Sequence, residues 1–133
     1  MNAAEQAKNI EVATKIATIV TSFKHLFPDA KADLSPWAND PDTRELVDPD
    51  SIDISFNFPG ISRSIKSRCV LVQIRFYEDR LIGIDAAGYS HQGKQWSLSS
   101  IDNWAFVGSF PPPLDFESKL KQFYKDIFML FNQ

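Results

Sequence analysis

In the segment RCVLVQIRFYEDRLIGIDAAGY, residues 68–89, apolar side chains alternate with five polar or aromatic side chains that could bind a ligand or take part in catalysis. In two strands joined by a turn at 78–80, successive side chains point to opposite faces of the sheet. One face is apolar and carries Val70, Val72, Ile74, Phe76, Ile82, Ile84 and Ala86. The other face carries Gln73, Arg75, Tyr77, Asp85 and Tyr89. We predict that these five residues form a candidate binding face.

The apolar pattern also predicts the register of this hairpin, because a slip by one residue would mix the two faces. Arg75 then lies diagonal to Asp85, within reach of a long side chain. The predicted pairs are Tyr77 with Leu81, Arg75 with Gly83, Gln73 with Asp85, Ile74 with Ile84, Val72 with Ala86, and Tyr89 with Cys69. Two interpretations stay open. The face is either a binding surface, since Tyr and Arg are enriched in protein contacts, or a solvated surface whose exposed ion pair contributes about 0–1 kcal/mol.

The other residues with catalytic or metal-binding potential form no recognised motif. The sequence has two histidines, His25 and His91, and one cysteine, Cys69, at spacings that match no structural zinc site. A nucleophilic pair of Cys69 and His91 would need a third group to orient the imidazole, and the sequence provides none. The segment GISRS, residues 60–64, has a serine where a nucleophile elbow needs its second glycine. We predict no catalytic residue, no cofactor and no metal.

Charge is distributed unevenly along the chain. The formal net charge is −3, yet residues 28–53 hold eight acidic and two basic side chains. Counted from Asp40, the sixth and twelfth residues are Glu45 and Ser51, where a calcium-binding EF-hand needs Gly and Glu. The segment is therefore predicted to be a solvated acidic loop.

A short basic segment, SRSIKSR at 62–68, carries Arg63, Lys66 and Arg68. Because the chain has no net positive charge, this segment is expected to contact an acidic partner or the acidic loop in preference to a nucleic acid. A nucleic-acid partner is not expected.

Composition predicts a soluble protein of the cytoplasm. The N-terminal residues lack the basic and apolar regions of a signal peptide. No apolar run approaches the roughly 20 residues of a membrane span, so no membrane contact is expected. A single cysteine excludes an intramolecular disulfide and favours a reducing compartment.

Hydrophobic periodicity predicts one α+β domain over residues 1–133. We expect a helix over 3–27, an acidic loop rich in Pro and Asp over 28–51, an antiparallel sheet over 52–110, and a helix over 115–132 that Asp115 caps. The sheet is predicted to be a meander of four to five strands, with the N- and C-terminal helices packed on one face and the other face open. The predicted strands are 52–58, 68–77, 81–89, 95–101 and 104–110. If strand 52–58 lies next to strand 68–77 or nearby, Ser55 and Asn57 join the candidate binding face, together with Ser97 and Ser99 of the fourth strand.

Two functions of different classes fit this outline. The first is a non-catalytic accessory protein that binds a protein partner or forms a homodimer, because the apolar arc of the first helix is wider than one packing surface needs. The second is a small-molecule-binding protein or enzyme that uses the polar face. In that case the site would use Arg75, Asp85, Tyr77 and Tyr89, with Arg75 holding an anionic group and Asp85 acting as a base.

Overall fold

The computed structural model describes residues 1–37, 47–59, 69–102 and 104–132. Its helices are α1 (Ala3–Gln6), α2 (Ile10–Leu26) and α3 (Leu114–Phe131). Its strands are β1 (Lys31–Asp33), β2 (Ile52–Asn57), β3 (Cys69–Tyr77), β4 (Arg80–Ser90) and β5 (Gly93–Ser99). None of the helices in these ranges is long and apolar enough to cross a membrane.

The five strands form one antiparallel sheet in the order β1-β2-β3-β4-β5. Each strand pairs with its neighbours in sequence, so the sheet is the meander that the turn pattern predicts. The α+β fold expected from the sequence is thereby confirmed.

The core lies between one face of the sheet and the two long helices. Phe23 of α2 stacks on Phe56 of β2 with ring centroids 3.7 Å apart, and Phe123 of α3 meets Phe23 edge-on at 5.0 Å. All three rings are fully buried. Such aromatic pairs add about 0.5–1.5 kcal/mol beyond the area that they bury. The apolar residues at helical spacing thus hold both helices against the same face.

The wide apolar arc of the first helix is covered in part by α3. Ser22 of α2 donates a hydrogen bond to Asp126 of α3 at 3.2 Å, which marks where the two helices meet. Ile16 and Ile19 are buried, whereas Ile10 at the start of α2 is 85% exposed. A second helix therefore covers part of the apolar surface that the sequence analysis left available for a dimer contact.

The β3–β4 register agrees with the prediction from Cys69–Tyr89 to Arg75–Gly83 and then departs from it. The turn contains only Glu78 and Asp79, both with positive φ (50° and 64°), as a two-residue type I′ turn requires. Tyr77 consequently pairs with Arg80 and not with Leu81.

A β-bulge at Ile82 reconciles the short turn with the register of the faces. Phe76 pairs with Leu81 while Arg75 pairs with Gly83, so Ile82 is the extra residue. Its side chain is 53% exposed. The expectation that Ile82 joins the apolar face was therefore wrong.

The N-terminal half differs from the prediction in two places. The helix expected over 3–27 is divided between α1 and α2, because the Asn9 side chain accepts a hydrogen bond from the backbone N–H of Val12 and caps a new helix. The loop expected over 28–51 includes a strand, β1, which pairs Ala32 with Phe56. The remaining expectations for positions 38–46, including Asp40, Asp42 and Glu45, fall outside the described residues. The same holds for the segment GISRS at 60–64 and the basic segment at 62–68.

The segment after β5 is also different. The strand expected over 104–110 is reduced to one bridge, in which Val107 and Ser97 exchange backbone hydrogen bonds of 2.7 and 2.9 Å. Trp104 has φ 59°, which interrupts an extended strand. The helix α3 begins at Leu114 with Pro113 at its N-cap, so Asp115 lies in the first turn and is not the cap. Asp115 instead pairs with Lys119 at 3.4 Å.

The N-terminal residues cover part of the second face of the sheet. The fully buried Asp53 carboxylate accepts hydrogen bonds from the indole N–H of Trp37 (2.5 Å), the hydroxyl of Ser51 (2.7 Å) and the Met1 α-amino group (3.0 Å). Asn2 and Trp37 exchange two further hydrogen bonds of 2.9 and 3.0 Å. The expectation that Ser55 joins an open face was therefore wrong, because Ser55 is buried beside the buried Asp53, whereas Asn57 is exposed.

Candidate functional site

Four of the five predicted site residues line one shallow concavity on the second face of β3, β4 and β5. These four are Gln73, Arg75, Asp85 and Tyr89, and the concavity has a volume of about 240 Å³. We call this surface the open face. It further includes Leu71, Ala87, Lys94, Ser97 and Ser99, which are half-buried or exposed.

The strand register explains why these side chains meet. Gln73 pairs with Asp85, and Asp85 pairs with Ser99, so three neighbouring strands contribute to one row across the sheet. A second row is formed by Leu71, Ala87 and Ser97. Residues directly opposite on one face have Cβ atoms about 5 Å apart. Alternation along each strand thus accounts for the open face.

Arg75 is bonded through all three of its nitrogen atoms. Its Nε donates to Asp85 Oδ2 at 2.5 Å, its Nη1 to Asp48 Oδ2 at 3.2 Å, and its Nη2 to Gln73 Oε1 at 3.2 Å. The hydrogen bond to Asp85 raises the pKa of the Arg75 guanidinium further above its usual value, against an opposing effect of partial burial. The guanidinium stays charged and fastens the segment before β2 to the sheet.

This arrangement limits the chemistry of the open face. A guanidinium that two carboxylates already neutralise is poorly placed to hold an anionic substrate. The Asp85 carboxylate is held in the same ion pair, so its Oδ2 atom is already occupied by the Arg75 guanidinium. The contact with Asp48 gave no signal in the sequence, since 27 positions separate it from Arg75.

A second depression adjoins the open face at β5. It has a volume of about 530 Å³ and shares Ser97 and Ser99 with the first concavity. Val107, which is 65% exposed, also lines it. The two depressions therefore adjoin at Ser97 and Ser99.

Glycine at position 83 allows the chain after β5 to fold over one end of this surface. A Cβ atom at Gly83 would overlap the side chain of Ile101, whose Cδ1 lies 2.7 Å from the Cβ position. Ile101 is nevertheless 58% exposed. The open face is therefore bounded at this end by an accessible aliphatic side chain.

Tyr77 lies apart from the other four predicted residues. It is 65% exposed and lines a groove of about 810 Å³ beside the β3–β4 turn and the start of α2. We call this groove the hairpin groove. The sequence did not reveal it, because its walls come from segments distant in the chain, including Lys15, Asp50 and Phe131.

The described ranges contain no group of three or more His, Cys, Asp or Glu side chains placed to hold a metal ion. Cys69, which lies at the start of β3, donates to the Ser55 hydroxyl at 3.7 Å. Residues 38–46 of the acidic loop lie outside these ranges.

These features define an antiparallel α+β domain with a shallow polar face on the side of the sheet opposite its two long helices. A family model described as a domain of unknown function matches residues 4–133, and the chain therefore belongs to that family. No curated protein and no solved structure matches the chain.

Proposed function

We propose that the protein is a non-catalytic binding protein that contacts a protein partner, or a second copy of itself, through the open face. The observation that carries this proposal is the internal bonding of Arg75 to Asp85, Asp48 and Gln73. Those bonds already pair the charges of Arg75 and Asp85, and they hold the side chains of Arg75, Asp85 and Gln73 in fixed positions. A fixed surface loses less conformational entropy when a partner binds.

The composition of the open face supports contact with a macromolecule. Tyr89 is 36% exposed and stands beside the exposed Lys94 of β5, its cross-strand partner. Tyrosine supplies both apolar area and a hydrogen-bonding hydroxyl, which is why it is enriched in interfaces. The concavity is shallow and broad, as suits a protein surface. The free Cys69 is compatible with the reducing cytoplasm that we propose as the location.

A small-molecule site on the same face has weaker support. The concavity of about 240 Å³ is smaller than the roughly 300–1,000 Å³ of typical ligand pockets. If a metabolite does bind there, it will raise the melting temperature, and Arg75→Ala will abolish that increase. A broad metabolite panel that gives no shift would exclude this alternative.

The test compares two identical substitutions on different surfaces. Ser97→Arg places a long charged side chain in the middle of the open face, whereas Ser118→Arg places the same side chain on the exposed surface of α3. Each tagged variant is cross-linked in its own cells, and the captured proteins are quantified. Sedimentation velocity of the purified protein measures self-association in parallel.

We expect the wild type and the Ser118→Arg variant to form a complex with the partner or with a second copy. The Ser97→Arg variant should not form it. Tyr89→Ala should weaken it by about tenfold, the effect of removing one interface tyrosine. If the Ser97→Arg variant forms the same complex as the wild type, the open face is not the binding surface. A monomer with no specific co-purifying protein would overturn the proposal itself.

A further inference from the structure

The hairpin groove is a second surface, separate from the open face, and its floor is apolar. Phe76 of β3 and Phe131 of α3 meet edge-on with centroids 5.1 Å apart, and both rings remain half-buried. Val12 and Ile52 complete the floor. The volume of about 810 Å³ is large enough for several side chains of a partner.

The charged groups around this groove do not balance. Lys15 is paired with Glu11 at 3.7 Å, and its ammonium lies 5.0 Å from the centroid of the Phe131 ring. The other charged lining residues are Lys8, Asp50, Glu78 and Asp79, and none of them forms an ion pair with another described residue. Within the part of the chain that the structure describes, three carboxylates and one ammonium of the groove lining are therefore without an ion-pair partner.

The β3–β4 turn holds two of these acidic residues at adjacent backbone positions. Glu78 and Asp79 both have positive φ, in a two-residue turn that the Tyr77–Arg80 pair closes. Tyr77, the neighbouring residue, adds an exposed aromatic ring to the same wall. Carboxylates beside an aromatic ring attract ammonium and guanidinium groups through both charge and the ring quadrupole.

We propose that the hairpin groove binds a basic amphipathic peptide segment of a protein partner. Its aliphatic side chains would pack on Phe76 and Phe131, and its Lys or Arg side chains would reach Asp50, Glu78 and Asp79. This inference goes beyond the proposed function, since it concerns a surface on another side of the molecule and does not require the open face to bind anything.

The probe is a six-residue peptide that alternates leucine and arginine, with both ends blocked. It is titrated into isotopically labelled protein while amide chemical shifts are recorded, and a peptide that alternates leucine and glutamate serves as its control. The protein variant Glu78→Gln/Asp79→Asn removes two charges from the groove and keeps side chains of similar size. The variant Asp29→Asn/Asp115→Asn removes the same number of charges from exposed positions outside the groove lining.

We expect the arginine peptide to shift the amides of Val12, Tyr77 and Phe131 and to bind more weakly as salt is added. The groove variant should weaken the affinity by about tenfold, which corresponds to two lost surface charge contacts. The distant variant should retain most of the affinity.

Four results would overturn the proposal: no shifts at millimolar peptide, equal binding of the glutamate peptide, shifts confined to another surface, or equal weakening in both double variants. The last result would mean that only the net charge matters. Tyr77→Ala gives a check that leaves every charge in place, and it should also weaken binding.

Discussion

The Nε atom of Arg75 lies 2.5 Å from the Oδ2 atom of Asp85 on the neighbouring strand, and the same guanidinium reaches back to Asp48 before β2. One side chain thus joins two strands and a preceding segment. These side chains are about 30% exposed, so solvent screens the ion pairs only partly.

Arg75→Met is expected to lower the free energy of unfolding by about 2 kcal/mol, because three hydrogen bonds of a charged group are lost while the aliphatic stem is kept. Urea denaturation measures the change. Arg80→Met, at an exposed position without an ion pair among the described residues, should stay within about 0.5 kcal/mol of the wild type. Equal effects of the two substitutions would mean that the bonds of Arg75 contribute nothing to stability.

Stability at alkaline pH should depend on Tyr124. Burial raises the pKa of its phenol above the usual value, and the charge of Asp85 adds to that increase. Above about pH 10 the unfolded chain then loses a proton that the folded protein retains, so the free energy of unfolding falls by about 1.4 kcal/mol per pH unit. Below pH 10 both states keep the proton, and this contribution is constant.

Tyr124→Phe removes that dependence, together with the 2.6 Å hydrogen bond that the hydroxyl donates to the Leu98 carbonyl. The variant should be less stable by about 1 kcal/mol near neutral pH, and its difference from the wild type should shrink above pH 10. Denaturation curves at several pH values test this, with Tyr77→Phe as an exposed control. A difference that stays constant at all pH values would contradict it.

Gly108→Ala should be far more disruptive than Gly93→Ala. Both glycines have positive φ, 143° and 102°, so both substitutions strain the backbone. A Cβ atom at Gly108 would also collide with the backbone of β5, at the Gln95 carbonyl and 2.6 Å from Trp96 Cα, whereas nothing lies within 4 Å at Gly93. We expect losses of about 3 and about 1 kcal/mol in thermal or urea unfolding. A ranking in the opposite order would show that the segment at 107–110 is not held against β5.

Trp37→Phe should lower the free energy of unfolding by about 2 kcal/mol, since it deprives the buried Asp53 carboxylate of a charge-assisted hydrogen bond. Trp104→Phe is the matched control, because that indole packs on Tyr124 and Phe128 and its N–H bonds to no other described residue. Similar losses for the two substitutions would show that the bond to Asp53 is unimportant.

Much of the sheet was predictable because alternation is a local property. The pairs from Cys69–Tyr89 to Arg75–Gly83 follow from keeping Val70, Val72 and Ile74 on one face. The pairing next to the turn, Tyr77 with Arg80, was not predictable in the same way. Type I′ turns favour Asn and Gly, and the sequence has Glu78 and Asp79 there.

The features that were not predicted from the sequence depend mainly on contacts between segments distant in the chain. Alternation assigns Asp53 to the second face of the sheet but contains no information on the N-terminal residues and Trp37 that bury it. The division between α1 and α2 had a local signal in Asn9, a favoured N-cap residue. The hairpin groove had no such local signal, since it depends on how four segments far apart in the chain pack together.

The bridge between Val107 and Ser97 has a consequence for how the protein behaves at high concentration. A free strand edge is a template on which further chains can add, and long unprotected edges promote fibre formation. Here the segment at 107–110 occupies the outer side of β5 through Val107 and Phe110, and the opposite edge strand, β1, is only three residues long. Loosening the segment at Gly108 would therefore do more than reduce stability, because it would expose the edge of β5 to other copies of the chain and favour aggregation.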